Sequence, residues 1–172
     1  HEVMKLSRTG HTSWTLTEVD FTDGPYLPTN STATTLTPAS AGTGTGVNIT
    51  ASAITGINGG DGFQTTDVGR ILKFNSGKAK ITARTNTTVV VVTITTAFAS
   101  TAATAAFNLG AFSDTTGHPS CVSFFEQRLV FAGTTDEPQT LYFSKSGDYE
   151  NMTTGTDADH AMVYTIASNQ VN

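Results

Sequence analysis

The sequence predicts an all-β protein. A small β-barrel or sandwich is expected in the middle of the chain, with antiparallel strands around it that suit a sandwich or propeller blades. Three observations point there. Thr fills about one position in five, and Thr, Val and Phe fit pleated strands while Gly and Asn fit turns. Only 13% of the 172 residues are charged, about half of the ~25% usual in soluble domains, and Glu and Lys are too scarce for coiled-coil heptads. Apolar runs are short and broken by turn residues, and none approaches the ~18 residues of a membrane helix.

Composition divides the chain into segments 1–30, 31–112 and 113–172. In the first, Thr12 to Phe21 reads as a strand with Trp14 and Leu16 on one buried face and a bulge near Glu18. Asp23 to Pro28 reads as a turn. The second segment opens in low-complexity Thr, Ala, Ser and Gly, and Gly42 to Gly46 reads as a flexible connector before a short strand at Val47–Ala51. Ile71–Phe74 and Lys78–Ala83, joined by Asn75-Ser76-Gly77, give the best hairpin signal. The Val89–Val92 run predicts a central strand filled on both faces. In the third segment, Cys121–Ala132, Thr140–Ser144 and Ala161–Ile166 are strand-like. Leu129 and Phe131 share one face, and Leu141 and Phe143 another.

Charge follows the same division. No acid lies between Val68 and Ser113, where Arg70, Lys73, Lys78, Lys80 and Arg84 all fall. From Asp114 onward the acids dominate, opposed only by Arg128 and Lys145. Lys73, Lys78 and Lys80 alternate with apolar residues and so are expected on one exposed hairpin face. Such a face keeps strand edges from aggregating, or meets an acidic partner subunit or passing DNA. The net charge of −5 and pI of about 5.1 argue against a general nucleic-acid binder.

Catalytic and metal motifs are weak. No G-x-S-x-G elbow is present. The lone Cys121 reads as a small buried hydrophobe, and His118, three residues earlier, would point to the opposite face of a strand. The Gly42–Gly46 run lacks the Gly-Lys-Ser/Thr ending of a phosphate loop. Asp157, Asp159 and His160 lie close together but lack the Gly and terminal Glu of a calcium loop, so they read as an exposed acidic loop. The expectation is a protein without enzymatic activity, cofactor or metal.

The third segment carries a resemblance. The order runs from Leu109-Gly110-Ala111-Phe112-Ser113-Asp114 and Gly117-His118-Pro119 to Phe124-Phe125-Glu126-Gln127-Arg128-Leu129-Val130-Phe131-Ala132-Gly133. It continues with Leu141-Tyr142-Phe143-Ser144-Lys145-Ser146-Gly147-Asp148-Tyr149 and ends at Tyr164 to Asn172. This order resembles the tail tubular protein B, or nozzle, family of short-tailed phages. Asp67-Val68-Gly69-Arg70 and Lys80-Ile81-Thr82 resemble that family's inserted β-domain. The resemblance implies a virion protein of the tail, a homo-oligomeric ring that docks to other tail proteins and conducts DNA. It also implies that segment 31–112 is an insertion, that 113–172 forms propeller-blade strands, and that the chain is the middle of a longer polypeptide. On that reading Arg70, Lys73, Lys78, Lys80 and Arg84 form an interface or DNA-facing patch. The alternative is a carbohydrate-binding or host-adhesion module, for which Trp14, Tyr26, Tyr142 and Tyr149 are the aromatic candidates.

Overall fold

A computed structural model of the chain describes residues 1–166. The Ala167–Asn172 end of the family-like order lies outside them. The protein is nearly all β and entirely antiparallel in its sheets. It divides into two compact units, one of residues 1–25 with 116–172 and one of residues 26–115. These divisions lie a few residues outside the composition boundaries. Residues 26–30 go with the second unit because Leu27 N–H donates to the Leu109 carbonyl at 2.8 Å and Asn30 N–H to the Phe107 carbonyl at 2.9 Å.

The second unit is a six-stranded sheet that curls into a half-barrel. Its strands are β3 (Leu36–Pro38), β4 (Gly44–Ala51), β5 (Ile71–Phe74), β6 (Gly77–Arg84), β7 (Val89–Thr96) and β8 (Phe107–Leu109), in spatial order β3-β4-β7-β6-β5-β8. Period-two alternation places Leu72, Phe74, Ala79, Ile81, Val90, Val92 and Ile94 on the concave core face. Leu36, Ile49, Ile57, Phe63, Phe98 and Phe107 close that core. The valine run is central, as its composition suggests, but only Val90 and Val92 are fully buried; Val89 and Val91 are half-buried on the other face.

Two turns differ from their sequence reading. In the β5–β6 hairpin, Asn75 (φ 46°) and Ser76 (φ 60°) make a two-residue left-handed loop, and Gly77 is already in the strand. Gly77 is required for a different reason: a Cβ there would collide with the Phe98 ring, which stacks on Phe74 with centroids 4.3 Å apart. The glycine run that read as a flexible connector is the start of β4. Gly44 pairs with Ile94, and the register breaks before Val47, with Gly46 at φ 71°.

The first unit holds a two-stranded hairpin, β1 (Met4–Arg8) and β2 (Trp14–Glu18). It also holds a four-stranded sheet of β9 (Cys121–Phe125), β10 (Arg128–Ala132), β11 (Thr140–Phe143) and β12 (Met162–Thr165) in sequential order. The predicted single run Cys121–Ala132 is a hairpin. Glu126 (φ 44°) and Gln127 (φ 60°) form its loop, although neither residue type announces a left-handed turn. Phe131 and Tyr142 are paired across the sheet and buried, with Met152 and Ala161. This apolar core is much smaller than that of the second unit.

The face expected to be buried on Trp14 and Leu16 is open. Cross-strand pairing puts Met4, Leu6, Leu16 and Trp14 on one side of the hairpin, all exposed. Cys121 is likewise exposed, because β9 is the edge of its sheet.

Candidate functional site

The five cations singled out in the sequence do not share one surface. Lys73, Lys78 and Lys80 do lie on the outer face of the β5–β6 hairpin. Lys73 stands directly opposite Lys78, and Lys80 opposite Ile71 and Thr93. All three are half-buried, and the Lys73 ammonium lies 5.0 Å from the Tyr26 ring centroid, within cation–π range.

Arg84 leaves that face because β6 is bulged. The register shifts between Ile81 and Ala83, which adds one residue and inverts the alternation. Arg84 therefore stands opposite the buried Val90, and its Nε donates to the Phe63 carbonyl at 2.7 Å.

Arg70 belongs to the interior, with only 2% of its surface exposed. Its Nε donates to the Gly110 carbonyl at 2.7 Å, and one terminal nitrogen donates to Asn58 Oδ1 at 2.6 Å and Asp67 Oδ1 at 2.9 Å. Asp67 is fully buried, and its second oxygen accepts from Asn58 Nδ2 and from the Gln64 amide, both at 2.7 Å. A buried ion pair is sustained by added hydrogen bonds of this kind, here to both carboxylate oxygens of Asp67 and from two of the three guanidinium nitrogens of Arg70. Arg70 thus ties the loop of residues 58–67 to the start of β8's exit, and the outward basic face reduces to Lys73, Lys78 and Lys80.

Asp157, Asp159 and His160 come together, with one ligand atom of each within 4.8 Å of the others. Arg128, a buried residue, shapes this loop by donating to the carbonyls of Ser144 (2.7 Å), Ala158 (2.6 Å), Asp159 (3.3 Å) and His160 (2.6 Å). Asp159 already holds a cation: Lys145 Nζ is 3.0 Å away and keeps the carboxyl below its usual range, mainly through that hydrogen bond. The cluster is built as an exposed, ion-paired loop.

The aromatic candidates separate. Trp14 and Tyr149 are exposed, Tyr26 is half-buried and Tyr142 is buried. Burial, then the charges of Glu137 and Asp136, push the Tyr142 hydroxyl up to about 12 from 10.0. The folded state therefore keeps a proton that the unfolded chain gives up above pH 10. Stability is expected to be intact below pH 10 and to fall between pH 10 and about 12. Urea unfolding across that window should show a decline that Tyr142→Phe flattens, by up to about 1.4 kcal/mol per pH unit. An unchanged slope in Tyr142→Phe would place the effect elsewhere.

What the sequence did not flag is the open apolar surface of the first unit. Leu6 and Leu16 are more than 60% exposed, as are Val122 and Phe124 on β9. Tyr149 packs edge-on to Phe124 at 5.3 Å without covering it. Charge is also uneven. The first unit carries four Lys/Arg and eleven Asp/Glu, a net −7, and the second carries five and three, a net +2. Compared with known protein families and with curated protein sequences, the chain matches none.

Proposed function

We propose that this chain is a structural part of a phage tail, a tail-tube or nozzle subunit that works through its interfaces in a homo-oligomeric ring. The observation that carries this reading is the uncovered apolar surface of the first unit, on β1, β2 and β9. A typical monomer's largest apolar patch covers about 300–600 Å². The resemblance of residues 109–151 to the nozzle family supplies the kind of assembly. The four-stranded sheet β9–β12 has the strand number of one propeller blade, and a lone blade leaves its faces and edges for neighbours to cover. In this reading Lys73, Lys78 and Lys80 give register against an acidic neighbour and meet DNA in passing.

The test is direct. The polypeptide that carries this sequence is purified and examined by light scattering and negative-stain microscopy. Rings are expected, and a monodisperse monomer at all concentrations overturns the reading. Lys78→Glu with Lys80→Glu should reduce ring formation at low salt while leaving the circular dichroism spectrum intact. Undiminished rings from that double variant would remove the basic face from the interface.

The exposure of Trp14 and Tyr149 favours host adhesion as the second reading. Saturable glycan binding that Trp14→Ala abolishes, in a protein that forms no rings, would move the assignment there.

A further inference from the structure

Among the described residues, no strand pairs with the β9 edge of the first unit's sheet, and a groove lies beside it. β9 is joined to β10 by a two-residue loop, so Phe125 and Arg128 form the closing hydrogen-bonded pair. Ser123 then also turns its N–H and C=O toward β10, and Val122 and Phe124 turn theirs away from the sheet. A groove of about 450 Å³ runs beside this edge, with Met4, Leu6, Val122, Phe124, Leu129 and Phe131 among its walls.

We propose that this edge takes an extended strand of a partner polypeptide, apolar at alternate positions and basic at its ends. The strand pairs with the outward backbone groups of Val122 and Phe124 and lays its apolar side chains in the groove, the mode of strand addition. Two quantities select this occupant. Met4, Leu6, Trp14, Leu16, Val122, Phe124 and Tyr149 are each at least 42% exposed. Together they offer roughly 800 Å² of apolar surface at the areas usual for such side chains, the ~800 Å² per partner of a stable interface. The unit's net charge of −7 favours a basic strand and opposes the same face of a second copy.

The inference rests on the assembly reading in taking this face as a docking face. It is tested on the full chain with the blocked peptide Lys-Val-Thr-Val-Thr-Val-Lys, followed by fluorescence anisotropy at low salt. Saturable binding is expected. Glu in place of both terminal Lys residues, or N-methylation of the valines, should weaken it at least about tenfold. Val122→Pro should do the same in the protein. It removes only an outward N–H, which edge strands tolerate. Should that variant misfold, the N-methylated peptide carries the comparison. No binding up to ~1 mM overturns the proposal, as does binding indifferent to both N-methylation and Val122→Pro. Self-association of the chain that Val122→Pro abolishes and the peptide does not compete with also overturns it, in favour of a second copy. Rings without peptide binding remove the strand mode alone, whereas a monomeric parent protein removes the assembly reading.

Discussion

Arg70→Ala is expected to cost about 3–5 kcal/mol, the usual penalty for removing one partner of a buried ion pair. The reason lies in what it leaves behind. Asp67 would remain fully buried with no countercharge, held by Asn58 and the Gln64 amide alone. The Gly110 carbonyl would also lose its donor. Lys73→Ala removes a half-buried cation three residues further along, on the outer face, and the loss of its cation–π contact with the Tyr26 ring should cost only about 0.5–1 kcal/mol. Urea midpoints of the two variants measure the contrast. Equal midpoints would show that Arg70 is not what holds the loop of residues 58–67.

Arg128→Leu is expected to be comparably damaging in the first unit, at about 3 kcal/mol or more. Four carbonyls share this guanidinium, three of them consecutive from Ala158 to His160. The shorter leucine fills only part of the space and donates nothing, and buried carbonyls without donors are costly. Arg128→Lys should recover little, because an ammonium cannot spread its donors across carbonyls on two segments as a planar fork does. Hydrogen exchange locates the effect. The amides of Ser146, which bonds Asp159, and Ala161, which bonds Thr153, should lose protection first. Retained protection there would show that the loop keeps its shape without Arg128.

These two residues mark where sequence reading stops. The all-β class was legible in the Thr and Val content, and β5, β6 and β7 were legible because their alternation is regular. Arg70 was not, since a basic residue next to an apolar strand looks the same whether its partner is water or Asp67. Arg84 was grouped with the lysines as one basic patch, and the extra residue at the bulge turns it off their face. The β9–β10 loop was invisible because Glu126 and Gln127 adopt left-handed φ without glycine or asparagine. β1 escaped notice because its apolar residues, Met4 and Leu6, are too few to show a period. Finally, alternation on β2 correctly grouped Trp14 with Leu16 but carried no information about what lies over that face.

The route by which the chain enters and leaves the second unit has one more consequence. Tyr26 forms an antiparallel bridge with Gly110, and the two ends are zipped together from Leu27–Leu109 to Asn30–Phe107. A body whose entry and exit lie side by side can be removed with a short turn and lengthened, shortened or exchanged without stretching the chain that carries it. The half-barrel also owns the larger apolar core, which is drawn entirely from residues 26–115. It is built as a cassette, a body that can be exchanged as a whole without rerouting the chain that carries it.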